Sequence, residues 1–304
     1  MMLEIGRVGM KFLGDVDDGF VDAFRSLFAR RYLPDVGEGR GEPDVIVERF
    51  KGQNFRVFGS AYDYMGQDKY KIESPIPKAY GNEAPIFFIL QAAARAGAKV
   101  GRIFITDSVG ILQPNGKAVL FVGYPHTGKS TMSALAIAEE LTVLSTENTV
   151  VEAIGGELFI TAGTDVLVYD PMVEGVYGVD VPYDTQTRSG YRIADLKGDK
   201  RRKSALRKGV PVDKIVVLHA AFHCHGASFS QIRGRKVKKT LWYFATALMK
   251  GLDYYEPMPL HVPMNDEINA RIREFLELSS KNYLGRMYEA FGSHKRIFHE
   301  TIEL

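Results

Sequence analysis

The segment GYPHTGKST, residues 123–131, constrains the possible folds of this chain more than any other. Two glycines with four residues between them are followed by a lysine and two hydroxyl residues, which satisfies the GxxxxGK[ST] pattern in full. The apolar run KAVLFV ends directly before Gly123, and the amphipathic segment MSALAIAEEL begins directly after Thr131. This order predicts a strand, a glycine loop and a helix, which together form the phosphate-binding unit of an α/β fold.

The chemistry of such a loop depends on its main chain. Glycine lets the backbone turn its N–H groups inward around phosphates, and the following helix adds its positive end. We therefore predict a Walker A loop for ATP and Mg²⁺, with Lys129 on the outer phosphates and the Ser130 hydroxyl on the metal. Two interpretations of His126 stay open, contact with the transferred phosphate or solvation at the loop tip. The predicted nucleotide contacts are Gly123, Tyr124, Pro125, His126, Thr127, Gly128, Lys129, Ser130 and Thr131.

Composition limits the class of protein. With 304 residues, 45% of them hydrophobic, the chain is long enough for about two domains. A formal net charge of +2 gives no overall field that would favour nucleic acid or an anionic membrane. Cys224 is the only cysteine, which excludes an internal disulfide and all-cysteine metal sites and favours the cytoplasm. No apolar stretch reaches the length of about 18 residues that a membrane helix needs, so we expect no membrane segment.

A composition shift divides the chain. Prolines and a glycine interrupt every periodic pattern in ESPIPKAYGNEAP, residues 73–85, and predict a boundary there. We predict a small N-terminal α+β unit at 1–84 and a nucleotide-binding domain at 85–304. The N-terminal unit is compatible with substrate recognition or with assembly of a homo-oligomer. Its predicted elements are a helix at Gly19–Tyr32 and strands at Val45–Phe50 and Phe55–Phe58.

The second unit shows a clear hairpin signal. The turn Pro-Asn-Gly at 114–116 separates two apolar runs, and a helix that begins at Pro85 precedes them. Residues 165–212 are polar, and we expect them to be irregular. The remaining predicted elements are strands at Arg102–Thr106, Val109–Gln113 and Lys214–Phe222 and helices at Ser133–Glu140, Thr240–Gly251 and Asp266–Phe291.

The segment from Asp107 to Val151 resembles the nucleotide-binding core of the HPr kinase/phosphorylase-like group, which is related to the phosphoenolpyruvate carboxykinase fold. A short hairpin precedes the glycine loop, the helix from Pro85 feeds it, and the next strand follows a short helix and ends at an acidic residue. The resemblance covers residues 85–151, about a fifth of the chain. It implies a P-loop core of the HPr kinase/carboxykinase type with a mixed sheet, in an ATP-dependent kinase.

The departures from this family concern its acidic residues. The family usually carries histidine where this chain has Asp107, or Thr106 if the register shifts by one, and two aspartates where it has Thr146 and Glu147. The first of those aspartates holds magnesium or accepts a proton, which threonine does poorly. We predict Glu147 as a metal ligand and Asp107 as the catalytic base or a second-shell metal ligand. The competing interpretations are a solvated strand end for Glu147 and a turn-closing aspartate for Asp107.

Three further clusters leave alternatives open. The basic run Lys197–Lys208 is typical of a solvated loop, but it also fits a phosphate clamp or a nucleic-acid contact. Arg188 and Arg192 are candidate cations for the transition state of phosphoryl transfer. The run Val173–Val181 lacks the arginine of HPr kinases, which puts phosphorylation of HPr itself in doubt. A zinc site or a strand-end loop would each explain the group His219, His223, Cys224 and His225.

The sequence therefore predicts an ATP-dependent phosphotransferase that uses Lys129, Asp107 and Glu147 on a hydroxyl of a small molecule or of a protein serine. A nucleotide-binding regulator without phosphoryl transfer is the first alternative, because one family aspartate is missing. The second is an NTPase stimulated by nucleic acid through the basic run, although the low net charge does not favour nucleic acid as a partner.

Overall fold

The computed structural model describes residues 1–63, 66–250 and 265–303. The chain is a mixed α/β protein with mixed sheets. Its described strands are β1 (Met2–Ile5), β2 (Val8–Gly14), β3 (Gly37–Glu38), β4 (Val45–Lys51), β5 (Arg56–Ala61), β6 (Asp68–Ser74), β7 (Arg102–Ile105), β8 (Ser108–Leu112), β9 (Ala118–Val122), β10 (Thr142–Ser145), β11 (Thr149–Ile154), β12 (Glu157–Gly163), β13 (Val166–Tyr169), β14 (Thr185–Gln186), β15 (Arg192–Asp195), β16 (Val210–Ala221), β17 (Ala227–Gln231) and β18 (Met287–Ser293).

The chain also has nine described α-helices. They are α1 (Asp18–Phe24), α2 (Leu27–Arg30), α3 (Ala84–Lys99), α4 (Lys129–Ala138), α5 (Met172–Tyr177), α6 (Lys200–Lys208), α7 (Arg235–Lys250), α8 (Asp266–Asn282) and α9 (His294–Glu303). Among the described residues, no helix is both long enough and apolar enough to cross a membrane.

The strands form three sheets. The N-terminal sheet has the order β3-β1-β2-β4-β6-β5, and β13, β15 and β14 form a small third sheet. The central sheet has the order β10-β8-β9-β16-β12-β11-β7, with β18 paired to β16 and β17 paired to β18. In the central sheet β9, β16 and β18 are mutually parallel, so their carboxyl ends meet at one edge. That edge carries the candidate site.

Helix α3 lies between the N-terminal sheet and the central sheet. All but the first of its residues are buried, because it contacts β2, β4 and β6 on one side and β7, α7 and α8 on the other. Its first residue, Ala84, is also the last residue of the predicted N-terminal unit. One apolar cluster runs through both parts of the chain, and a second fills the opposite face of the central sheet around α4 and α9. The predicted boundary is therefore crossed by a continuous core.

Several predicted elements are confirmed in type. β8 and β9 form the predicted antiparallel hairpin, with Ser108 opposite Val122, and α4 follows the glycine loop directly. Strand Val210–Ala221 and helix Arg235–Lys250 cover the predicted Lys214–Phe222 and Thr240–Gly251, although Gly251 lies outside the described residues.

Three predictions of secondary structure were wrong. The helix predicted over Asp266–Phe291 ends at Asn282, because Gly285 adopts a left-handed φ of 92° and the chain returns to the sheet as β18. The helix predicted at Gly19–Tyr32 is divided at Ser26, whose hydroxyl caps α2. Residues 165–212, predicted to be irregular, contain the three strands of the third sheet and also the helices α5 and α6.

Candidate functional site

The glycine loop lies at the edge where the parallel strands end, and main-chain bonds bring the predicted acidic residues to it. The N–H of Gly123 donates to the carbonyl of Asp107 at 3.1 Å. The N–H of Ser108 donates to the carbonyl of Glu147 at 2.9 Å. Asp107 precedes β8, Gly123 follows β9 and Glu147 follows β10, so the sheet itself places the three predicted segments side by side.

The loop backbone presents a row of unused donors. Within the described residues, no group accepts a hydrogen bond from the backbone N–H groups of residues 126–131. Gly128 caps α4 with a left-handed φ of 103°, and His126 also has a positive φ, of 61°. Six consecutive N–H groups at a helix N-terminus form a site with partial positive charge, which favours an anion.

Lys129 is held inside the loop. Its ammonium donates to the carbonyl oxygens of Gly123 and Tyr124, at 2.7 and 2.8 Å, and lies 2.9 Å from a carboxylate oxygen of Asp107. Both members of this ion pair are buried, and Asp107 has a left-handed φ of 51°. Burial raises the pKa of the Asp107 carboxyl, and the nearby Lys129 opposes the rise. Lys129 therefore has three partners among the described residues.

The residues after β10 are arranged by one hydroxyl. The Thr164 Oγ1 accepts hydrogen bonds from the backbone N–H groups of Thr146, Glu147 and Asn148. The Thr146 hydroxyl itself donates to the Val166 carbonyl at 2.9 Å. Thr146 is thus a structural residue, and Glu147 is the residue of this pair that faces the glycine loop.

A cavity of about 310 Å³ opens above the loop. Seven of the predicted residues line it, together with three that the sequence analysis did not identify, Arg31, Val168 and Tyr191. The predicted contacts Gly123, Tyr124, Thr127 and Thr131 are not part of the lining. The described residues that line it are Arg31, Asp107, Pro125, His126, Gly128, Lys129, Ser130, Glu147, Val168 and Tyr191.

Arg31 reaches the cavity because its neighbour is anchored. The buried Arg30 side chain donates to Asp165 and to Asp195, each at 3.0 Å, and so fixes the end of α2 against the third sheet. The Arg31 guanidinium lies 5.1 Å from the centre of the Tyr32 ring. No spacing in the sequence relates residue 31 to residue 129, so only the fold could reveal this cation.

The cavity has oxygen ligands of the kind that magnesium prefers. Ser130 supplies a hydroxyl and Glu147 a carboxylate, both facing the same space as Lys129, and oxygen ligands suit Mg²⁺. The pair fits the usual arrangement in which one or two protein groups and substrate phosphates share the ion. No cluster of three or more His, Cys, Asp or Glu side chains suited to a metal occurs in the described parts of the chain.

Aromatic side chains support the loop from both sides. Tyr124 packs against Tyr243 and Phe244 of α7, with ring centres 5.1 and 5.9 Å apart. On the other side His294 packs so closely against Gly128 that a Cβ there would lie 2.4 Å from its ring. The His294 Nδ1 is 2.8 Å from the Tyr177 hydroxyl, and burial lowers the pKa of His294 to about 4.

The other predicted clusters lie outside the cavity lining. Lys200–Lys208 is a helix, not a solvated loop, and its buried Arg202 binds Asp35 at 2.8 Å and the Leu144 carbonyl at 3.0 Å. Arg192 forms an ion pair with Glu174, and Arg188 is exposed on the turn before β15.

The histidine group is also dispersed. His219 stacks on Phe291, with ring centres 4.5 Å apart, and lies near Glu289. His223, Cys224 and His225 are exposed in the loop after β16. The zinc interpretation therefore has no assembled ligand set among the described residues. The run Val173–Val181 forms most of α5 and contributes Tyr177 as the partner of His294.

Comparison with known protein families found no family model that matches the chain, and comparison with curated proteins found no matching sequence.

Proposed function

We propose that this chain is an ATP-dependent phosphotransferase whose glycine loop holds the triphosphate. The observation that carries the proposal is the row of six backbone N–H groups, residues 126–131, that lack an acceptor in the described chain beside the Lys129 ammonium. A polyanion satisfies these donors at once, and a triphosphate matches their spacing along a loop and a helix start. The motif and the resemblance to HPr kinase-like proteins support the same assignment.

Each residue then has a defined task. The loop N–H groups and Lys129 bind and orient the phosphates, and Ser130 and Glu147 would hold Mg²⁺. The metal supplies charge neutralisation on the outer phosphates. Asp107 accepts the proton of the acceptor hydroxyl, since its raised pKa suits a general base better than that of an exposed aspartate. Arg31 adds positive charge to the same cavity.

Binding and base catalysis are linked through Lys129. While the Lys129 ammonium contacts Asp107, it partly neutralises that carboxylate and is not free to bind phosphate. A bound phosphate draws the ammonium away from Asp107, and the carboxylate then becomes available for the acceptor proton. The acceptor is a hydroxyl of a small molecule or of a protein serine.

A regulator that binds nucleotide without transferring phosphate is the second candidate. It is favoured by Thr146, which replaces a family aspartate and has its hydroxyl committed to the Val166 carbonyl. Stimulation by nucleic acid has less support, because the basic helix α6 contributes nothing to the cavity lining.

Removal of the lysine tests nucleotide binding. We expect Lys129→Ala to weaken Mg-ATP binding about 100-fold, because a charge-assisted contact to phosphate is worth roughly 1.5–3 kcal/mol. Titration calorimetry of ATP gives the dissociation constant. Lys208→Ala, an exposed charge on α6, is the matched control and should leave it unchanged. Equal affinity in the Lys129 variant would refute the proposed phosphate site.

Replacement of the aspartate separates the two candidates. Asp107→Asn removes the competing partner of Lys129, so we expect ATP to bind at least as tightly as in the wild type. In a kinase the same change should lower turnover about 10²–10⁴-fold, the usual contribution of a general base. Turnover is measured as transfer of labelled phosphate from ATP. The acceptors are a cell extract freed of protein and, separately, the protein fraction of the same extract. Full turnover in this variant would exclude Asp107 as the base, and absence of wild-type transfer in both fractions would favour the regulator.

A further inference from the structure

A second and larger cavity lies at the same edge of the central sheet. Its volume is about 700 Å³, within the range that accommodates small-molecule ligands. It opens where β16 and β18 end, beside the strand end that carries the glycine loop, and ligands commonly bind outside the carboxyl ends of parallel strands. We name it the α9 pocket. The residues that line it are Val176, Tyr177, Phe222, His223, Cys224, His225, Ser293, Lys295, Arg296, His299 and Glu300.

The charges of the α9 pocket are unequal. Lys295 and Arg296 are basic side chains, whereas Glu300 is the single carboxylate among the lining residues. Within the described part of the chain, the Lys295 ammonium donates one hydrogen bond, to the Tyr177 carbonyl at 3.2 Å, and an ammonium has three N–H donors. His223 and His225 add imidazole groups that donate to an anion in either protonation state.

One wall of the α9 pocket is aromatic and closed. Tyr177 and Phe222 stack with ring centres 6.0 Å apart, and Phe222 lies 4.7 Å from the His294 ring. That spacing leaves no slot for a base between the two rings, because a stacked ring needs about 3.5 Å on each side. The polar groups therefore decide what the pocket accepts, and they favour negative charge over a neutral nucleoside.

We propose that the α9 pocket binds a small anion that carries phosphate or carboxylate groups, in addition to the nucleotide at the glycine loop. Lys295 and Arg296 provide the charge, His223 and His225 provide hydrogen bonds, and Tyr177 and Phe222 form the aromatic wall. The His294 ring lies between this pocket and Gly128, so the two sites are neighbours but have separate lining residues.

The only cysteine of the chain makes this site measurable. Cys224 lines the pocket and is exposed, so a neutral bimane reagent should label it in the unliganded protein. We expect inorganic phosphate and citrate, compared with chloride at equal ionic strength, to slow labelling in a saturable manner. The double variant Lys295→Ala/Arg296→Ala should raise the apparent dissociation constant of both anions about tenfold or more.

Two controls make the outcome decisive. The double variant Arg207→Ala/Lys208→Ala removes equal charge from the exposed face of α6 and should keep full protection. Lys129→Ala removes the main cation of the glycine loop and should also keep full protection of Cys224 by the anions. A negative result for the phosphotransferase proposal would therefore not affect the evidence for the α9 pocket. Labelling that no anion slows, protection that Lys129→Ala abolishes, or protection by neutral adenosine would each overturn the proposal.

Discussion

Lys129 and Asp107 form the centre of the site at the scale of single residues. Both are buried, and each has the other as its charge partner. Burial alone would make either charge costly, and the pair together with two loop carbonyls offsets that cost. Two carbonyls and one carboxylate hold the Lys129 ammonium inside the loop.

The sequence indicated both residues but not their ion pair or its surroundings. The contiguous glycine pattern located Lys129, and the resemblance to the HPr kinase-like group indicated Asp107 and Glu147, which lie at the ends of adjacent strands. Arg31, directly after α2, lines the cavity, and His294 of α9 packs against Gly128, although both lie far from the loop in the chain. Their positions depend on tertiary packing, such as the Arg30 anchor, that no local period encodes.

The buried His294 makes stability depend on pH. Its pKa is lowered from 6.5 to about 4, so below pH 6.5 the unfolded chain takes up a proton that the folded chain does not. The neutral His294 contributes about 3 kcal/mol to the free energy of unfolding. This contribution is fully present above pH 6.5 and is lost as the pH falls to about 4. We expect urea midpoints of the wild type to fall over this window.

The variant His294→Asn checks the assignment, because the side-chain amide can donate or accept a hydrogen bond with the Tyr177 hydroxyl in place of Nδ1 but does not titrate. Its free energy of unfolding should vary less between pH 6.5 and 4 than that of the wild type. Identical pH profiles for the two proteins would show that His294 is not the responsible group.

At the scale of elements, α6 acts as a clamp. Its buried Arg202 joins the carbonyl of Leu144 in β10 to Asp35 in the N-terminal part of the chain. Asp199 caps the helix by accepting from the N–H groups of Arg201 and Arg202. The basic run therefore contains one structural arginine among exposed neighbours.

Arg202→Ala should destabilise the fold by about 3 kcal/mol, because it removes a buried donor from the Leu144 and Gly163 carbonyls and from the Asp35 carboxylate. This loss of stability lies at the lower end of what removal of one partner from a buried ion pair costs, because Asp35 is partly exposed. Chemical denaturation measures the loss. Arg207→Ala, exposed on the same helix, should change stability by no more than about 0.5 kcal/mol. Equal effects of the two changes would contradict the clamp.

Elements with strong local signals were predictable. The Asn-Gly turn located the β8–β9 hairpin, and Pro85 at the first turn of an apolar segment located α3. The excess length predicted for α8 arose because Met287–Ser293 also carries apolar residues at helical spacing, whereas pairing with β16 and β17 makes it a strand. Such pairing is a property of the sheet, which a window of sequence does not contain.

At the scale of the whole molecule, α3 unites the N-terminal sheet with the central sheet. It is buried on nearly all sides by elements from both, and one apolar cluster includes residues of each. The division at residue 84 stays a prediction about sequence organisation, and the shared core indicates that the two parts stabilise one another.

A truncation tests that dependence. We expect residues 85–304 alone to lack a cooperative unfolding transition, because α3 would expose the apolar side that now faces β2, β4 and β6. Circular dichroism during thermal unfolding and limited proteolysis measure this. Addition of residues 1–84 as a separate chain is the control, and it should restore protection. A stable truncated protein with a sharp transition would show that the parts fold independently.

The burial of α3 also affects how the chain tolerates change. Gly97 lies so close to β7 that an added Cβ would be 2.9 Å from both the Arg102 carbonyl oxygen and the Phe104 ring. A helix of this kind has no solvent side on which substitutions can accumulate. In a mutational scan, the most intolerant segment would therefore include a helix with no part in the chemistry, and intolerance alone would be a poor guide to the active site.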